Sequence, residues 1–274
     1  MKFRFRKYHG LGNDFVIVDR RKEQSSPDWL TPERIRFLCN RHLGIGADGI
    51  LLLERGKKTV FRMILFNADG GRAEVSGNGL RCFLLFLRDI GEPISGPVQI
   101  ETDAGISEAE IVGENRVKVQ MPPPVFAPSN RESMLQRLEV ANSFFDVVIL
   151  SVGNPHCVIF GPARDEIFVR TYGPLIEKLP IFPAGTNVEF AHVMGNTSCQ
   201  LAVWERGAGL TLACGSGAAA TACAGVAPGK LRSGTPITLS QLGGDLQIIV
   251  QPDFSMVTLE GPAEFVFEGE IEVR

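Results

Sequence analysis

Ala213-Cys214-Gly215-Ser216-Gly217-Ala218 opens an alanine-rich apolar run that reaches Ala227. A thiol stands directly before a Gly-x-Gly turn, and the run behind the turn has the composition of a buried helix. The start of a helix offers unbonded N–H groups and a partial positive charge, which attract a carboxylate and favour a thiolate. A near copy lies upstream, Val75-Ser76-Gly77-Asn78-Gly79-Leu80, and opens the run from Leu80 to Ile90. Ser76 stands where the copy of Cys214 would be.

These two stretches set the domain plan. Asn67 precedes Ser76 by nine positions, and Glu205 precedes Cys214 by nine. Ser76 and Cys214 are 138 positions apart, while the Gly-Asn turns at Asn13 and Asn154 are 141 apart. A near-constant offset points to internal duplication. We expect an α/β (α+β) fold of two pseudo-symmetric domains, each a curled, mostly antiparallel sheet around one central helix. The expected domains are residues 1–120 with a returning strand at 263–274, and residues 121–262. Both helix starts would then lie at the cleft between domains, a common place for ligands.

Around the two helices the pattern predicts mostly strands. Phe3–Tyr8 and Phe15–Asp19 flank a Gly-rich turn, and Thr31-Pro32-Glu33 starts a helix running to about Arg41, with Thr as N-cap and Pro in first place. Strands follow at Ile50–Glu54, Val60–Asn67, Val98–Thr102, Gly105–Val112 and Arg116–Met121. Pro122-Pro123-Pro124 and the polar stretch Pro128–Glu132 read as a connection. Beyond it come strands Phe144–Val152 and Cys157–Phe160, a helix around Leu175–Leu179, and strands Asn187–Val193 and Cys199–Trp204. Ile237–Ser240, Leu246–Val250, Met256–Glu260 and Phe265–Val273 complete the set.

Composition narrows the function classes. A chain of 274 residues with 44% hydrophobic and 22% charged residues is that of a soluble globular protein. A net charge of −3 without a basic patch argues against nucleic acid or an anionic membrane as partner. No apolar run is long enough to span a bilayer. Met1–Gly10 is basic but alternates like a strand and lacks the apolar core of a signal peptide, so a cytoplasmic protein is expected. The six cysteines form no close Cys-x-x-Cys pairs, which disfavours zinc sites, redox motifs and a disulfide framework.

Two helix starts facing one cleft would clamp a carboxylate. A base on each face of a bound carbon would allow a proton to leave on one side and return on the other, as a cofactor-free racemase or epimerase requires. Thiols suit that task because a helix start can lower an ordinary cysteine pKa of about 8.5 toward working pH. Gly-x-Gly also serves merely to turn the chain, and no Gly-Lys-Ser/Thr follows to make a phosphate loop. Asn13 and Asn154 have a turn-forming reading, His156 that of a satisfied core histidine, and Arg206 that of a surface ion pair. Cys157 beside His156 leaves open a thiol-redox sensor or a hydrolase nucleophile.

Jointly, His9-Gly10-Leu11-Gly12-Asn13-Asp14-Phe15, Phe66-Asn67-Ala68-Asp69-Gly70, Gly77-Asn78-Gly79-Leu80-Arg81-Cys82-Phe83, Gly153-Asn154-Pro155-His156-Cys157 and Glu205-Arg206-Gly207-Ala208-Gly209 with Ala213–Ala218 closely resemble the diaminopimelate epimerase family. The resemblance runs along essentially the whole chain. It implies interconversion of LL- and meso-diaminopimelate without pyridoxal phosphate or metal, hence no cofactor, by a likeness-implied homodimer. It also implies that Cys214 is one of two acid–base residues and that Ser76 occupies the place of the other. Asn13, Asn67, Asn154, Asn187, Glu205 and Arg206 would bind the amino acid. Gly77, Asn78, Gly215 and Ser216 would supply amides and polar side chains at the helix starts, and His156 with Glu205 would tune the thiols.

Two positions depart from the family pattern. Gly49 follows Asp48 where some members carry Gln, so a side-chain contact would be missing or replaced by backbone. Ser76 matters more, because a hydroxyl ionises far less readily than a thiol. Four readings follow: a deliberate Cys→Ser change, a natural epimerase of low activity, dehydration of a hydroxyproline-like substrate as in the related proline racemase group, or a non-catalytic binder of diaminopimelate.

Overall fold

Continuous apolar runs such as Ile50-Leu51-Leu52-Leu53 belong to strands covered on both faces, and the fold supplies a helix for each face. The computed structural model describes residues 2–21, 29–128 and 134–272. They form two compact units, Met1–Val119 with Gly261–Arg274, and Gln120–Glu260.

The first unit contains β1 (Lys2–Gly10), β2 (Asn13–Asp19), α1 (Pro32–Cys39), β3 (Gly49–Arg55), β4 (Phe61–Asn67), the short β5 (Arg72–Ala73), α2 (Gly77–Asp89), β6 (Val98–Thr102), β7 (Gly105–Ile111) and β8 (Arg116–Met121). Antiparallel pairing joins β1–β2, β3–β4, β6–β7 and β7–β8, while β2–β3 and β4–β6 are parallel. Val16, Val18, Ile50 and Leu52 join Ile35 and Leu38 of α1 in one core. Alternation sends Phe15, Ile17, Leu51 and Leu53 to the other face, where α2 is buried without interruption from Gly77 to Leu87. Strands β1, β2, β4 and β7 all touch α2, so the sheet curls around it.

The second unit repeats the plan. It contains β9 (Val125–Ala127), β10 (Leu135–Val140), β11 (Ser143–Ser151), β12 (Pro155–Phe160), α3 (Glu166–Glu177), β13 (Asn187–Gly195), β14 (Ser198–Glu205), the short β15 (Gly209–Leu210), α4 (Gly215–Val226), β16 (Ile237–Gln241), β17 (Gly244–Val250) and β18 (Val257–Pro262), whose last two residues belong to the first unit. Its two parallel pairs, β12–β13 and β14–β16, stand where β2–β3 and β4–β6 stand in the first unit. Helix α4 lies among β11, β12, β13, β16 and β17, and its alanines allow those strands close. The chain ends in β19 (Glu264–Glu272), antiparallel to β1 in the first unit.

The helix expected around Leu175–Leu179 instead begins at Glu166. Asp165 caps it by accepting from the Phe168 N–H at 2.8 Å, and Pro174 lies inside it. Gly173 and Pro174 read locally as breakers, but the helix is held by packing: a Cβ at Gly173 would sit 2.5 Å from the Trp204 ring. Within the expected connection, Val125–Ala127 forms β9 on β11, and the unassigned Leu135–Val140 forms β10. Of that connection Ser129–Glu132 lies outside the described residues, as does Val273 of the last strand.

Candidate active site

Each unit places its Gly-x-Gly turn at the start of its central helix, with the preceding residue as N-cap. Ser76 caps α2, its Oγ accepting from the Gly79 N–H at 3.1 Å. Cys214 caps α4 in the same way, its Sγ accepting from Gly217 N–H at 3.3 Å. Serine is among the preferred N-caps, so Ser76 is structurally at ease where it stands.

Around α2, Asn78 Nδ2 donates to Asn13 Oδ1 at 3.0 Å, and Asn13 Nδ2 donates to Asp48 Oδ2 at 3.0 Å. Both asparagine groups are therefore oriented by fixed partners rather than by turn geometry alone. The anchor is ionic. Arg41 clasps Asp14 through two N–H groups at 2.9 and 2.7 Å and also reaches Asp48 at 2.8 Å, while Lys7 Nζ lies 2.8 Å from Asp14. Burial pushes the Asp14 carboxyl up, but the Arg41 and Lys7 hydrogen bonds and charges prevail and hold it down at about 2. A folded pKa below the unfolded value of 3.8 gives stability that is complete above it and disappears as pH falls through about 2. Asp14→Asn is therefore expected to cost about 2 kcal/mol at pH 7 in urea unfolding, a difference that vanishes near pH 2. Equal midpoints at pH 7 would exclude this role.

Asn67 ends β4, exposed, opposite buried Gly49 in the ladder. A Cβ at Gly49 would come within 2.6 Å of the Phe66 carbonyl oxygen. This backbone has no room for a side chain, so Gly49 can offer only main-chain groups.

Around α4 a hydrogen-bonded chain runs into the core. Cys214 Sγ lies 3.6 Å from Ser216 Oγ, and Asn154 Nδ2 donates to that oxygen at 3.3 Å. Asn154 Oδ1 is 2.9 Å from His156 Nε2, and His156 Nδ1 is 2.7 Å from Glu189 Oε1. With Asn154 donating to Ser216, its oxygen must accept, which assigns the Nε2 proton to His156. The His156 and Glu189 side chains are fully buried, and burial pushes the Glu189 carboxyl up against the pull of His156. Asn187 Nδ2 donates to the Pro155 carbonyl at 2.9 Å and its Oδ1 accepts from Arg206 N–H at 3.0 Å. The Arg206 side chain is exposed beside Gly185, without a carboxylate partner among its hydrogen bonds. The Gly215 amide lies within the same first turn of α4.

One residue is added and one expectation changes. First, Glu189, which the sequence reading did not single out, holds His156; Glu205 accepts from Thr211 Oγ1 at 2.6 Å and bears on Cys214. Parallel pairing puts Asn187 beside His156 and sends Glu189, two residues on, to the same face. The available signal was a carboxylate in the apolar run Val188-Glu189-Phe190. Second, the Cys214 thiol is not lowered. Burial raises it well above the ordinary range, and the Glu205 and Glu189 charges add to the rise, outweighing Ser216 and the Gly217 amide. Cys214 is thus a protonated thiol here, an acid before it is a base. Cys157, the alternative nucleophile, is fully buried and raised by that burial, with Glu189 adding to the rise. Such a thiol is inert.

Among the described residues no group of three or more His, Cys, Asp or Glu is placed to hold a metal ion. Solved structures share the fold: a probable proline racemase from Agrobacterium radiobacter superposes with a TM-score of 0.76 at 16% identity, covering 99% of this chain and 93% of that one. A hydroxyproline epimerase from Agrobacterium vitis gives 0.74 at 14%, with 98% and 92% covered. At the sequence level the similarity is much closer. A diaminopimelate epimerase of Synechocystis is 40% identical over 283 aligned positions, covering 100% of both chains. Another, from Synechococcus, is 43% identical over 279, covering 97% of this chain and 96% of its own. The family model described as diaminopimelate epimerase matches residues 5–127 and 148–266. With that match and those motifs in place at both helix starts, the chain belongs to the diaminopimelate epimerase family.

Proposed function

We propose that the protein is an isomerase that interconverts LL- and meso-2,6-diaminopimelate, in lysine and peptidoglycan precursor synthesis, without a cofactor. The observation that carries this reading is the Cys214 thiol capping α4, backed by Ser216, Asn154, His156 and Glu189. The first-turn groups Gly77, Asn78, Gly215 and Ser216 receive the α-carboxylate, as helix starts do for anions. Asn13, Asn67, Asn154, Asn187, Glu205, Arg206 and the backbone of Gly49 bind the rest of the amino acid. Asparagines suit a zwitterion because each offers donors and an acceptor without a charge to desolvate.

The proton steps are simple. The Cys214 thiol first gives up its proton to solvent; the thiolate then takes the α-proton of one isomer, and the electron pair left on carbon spreads into the carboxylate. A proton delivered to the opposite face completes inversion; in reverse, the Cys214 thiol donates. Ser76 holds the place of the second acid–base group, and its hydroxyl accepts from the Gly79 amide, with no base bonded to it among the described residues. Inversion by this form is therefore slow, while exchange on the Cys214 side persists. NMR of the α-proton in D₂O, begun separately from LL- and meso-substrate, tests this. Exchange confined to one isomer at the outset supports it. No exchange from either isomer would overturn it, leaving a binder; release of water from hydroxyproline would favour the dehydratase reading.

Two finer assignments accompany this proposal. A homodimer fits β19, which among the described residues pairs only with β1 and leaves Phe265, Val266 and Phe267 41–49% exposed. Sedimentation as a monomer at micromolar concentration would sink it. A cytoplasmic location accords with six free cysteines and with the absence, among the described residues, of a helix long and apolar enough to cross a membrane; cell fractionation tests it.

A further inference from the structure

Arg81 is the largest side chain fully removed from solvent, and it lies on α2 one turn beyond the Gly-x-Gly start. Its guanidinium donates to the Pro262 carbonyl through Nε at 3.0 Å and to the Gly77 carbonyl through Nη1 at 3.3 Å. Nη2 is buried with no hydrogen-bond partner among the described residues, and it lies so close to Gly10 that a Cβ there would be 2.7 Å away.

Among the described residues no carboxylate answers this charge. Asp14 and Asp48 are engaged by Lys7 and Arg41, and Asp89, at the far end of α2, by Tyr8 and Arg88. Arg116 on β8 adds repulsion, and among the described residues the titratable group that favours the cation is the thiol of Cys82. Desolvation, the larger influence, pushes even this guanidinium down to about 10. The position is unfavourable twice over, because a buried cation lacks water and the first turn of a helix already carries positive charge. Both penalties reverse when an anion arrives at the helix start. Local conflicts of this kind concentrate at functional sites.

We propose that Arg81 is a positioning residue for the α2 half of the site: it ties the Pro262 and Gly77 segments together, beside Gly10, and supplies the buried positive charge that makes this helix start receptive to an anion. That anion is the substrate carboxylate. Only the identity of the anion rests on the proposed function.

The test needs no turnover. Ser76→Cys installs a thiol that reports the local potential, and its alkylation by iodoacetamide, located by mass spectrometry, is followed against pH. Adding Arg81→Gln is expected to raise the apparent pKa of that thiol by about one unit or more, roughly tenfold less thiolate at a fixed pH below it. Arg81→Lys, which keeps the charge, should move it less. An unchanged titration in folded Arg81→Gln protein overturns the proposal. So does failure of Arg81→Gln to fold, since the amide can still bond the carbonyls and only the charge is lost; the arginine would then be a structural staple. Because no substrate is present, a negative result here leaves the epimerase reading untouched, and absence of exchange in D₂O leaves this one untouched.

Discussion

Ser76→Cys is expected to raise the rate of inversion by about 10²-fold or more, the range in which a positioned acid–base group contributes. The serine oxygen already occupies the capping position that Cys214 fills in the second unit, accepting one amide from the third residue of the helix. The substitution therefore adds an ionisable group without asking the backbone to move. A thiol with an ordinary pKa of about 8.5 is partly ionised near neutrality, whereas a hydroxyl without a neighbouring base is not. Chiral chromatography of the LL- and meso-isomers measures inversion, and the same samples in D₂O measure exchange. The expected signature is inversion rising to match exchange, with both isomers now losing their α-proton. No gain in inversion would eliminate Ser76 as the limiting position, and with it the reading of this protein as an epimerase short of one thiol.

Cys214→Ala is expected to abolish exchange in the protein as it stands, a loss of about 10³-fold or more. Neither of the other two candidates masks the loss, since a hydroxyl such as that of Ser76 ionises far less readily than a thiol and Cys157 is sealed in the core. The wild-type rate should also climb with pH through neutrality, because the thiol is held protonated by burial and by Glu205 and Glu189. Substrate that brings an ammonium group toward those carboxylates would offset the second influence but not the first. Exchange persisting in Cys214→Ala would move the catalytic role to another residue. A merely structural loss is separable, because alanine forfeits one capping bond, worth about 1 kcal/mol, and leaves the fold intact by circular dichroism.

Much of this site is local in sequence and was readable there. A small capping residue before Gly-x-Gly and an apolar run determines a helix start within a few positions, whatever surrounds it. Repeating that signal at a near-constant offset carries the two-part plan, and the pairings β2–β3 with β4–β6 against β12–β13 with β14–β16 show the same plan in hydrogen bonds. Helix α3 resisted such reading because Gly173 and Pro174 are locally unfavourable and only the Trp204 ring explains the glycine. Strands β9 and β10 resisted it because their exposed faces and flanking prolines resemble a linker until β11 supplies the ladder.

The sequence by itself determined which residues cap the two helices, that one of them is a thiol and the other a hydroxyl, and that asparagines accompany both. Those are properties of neighbours along the chain, where spacing alone sets the geometry. Only the tertiary structure decided that His156 leans on Glu189, that Asp14 and Asp48 are spoken for by Arg41, and that Arg81 has no counter-charge among the described residues. It also reversed the sign of the Cys214 shift. Burial and through-space charge come from segments that meet only on folding, and in a buried site they outweigh one amide at a helix start.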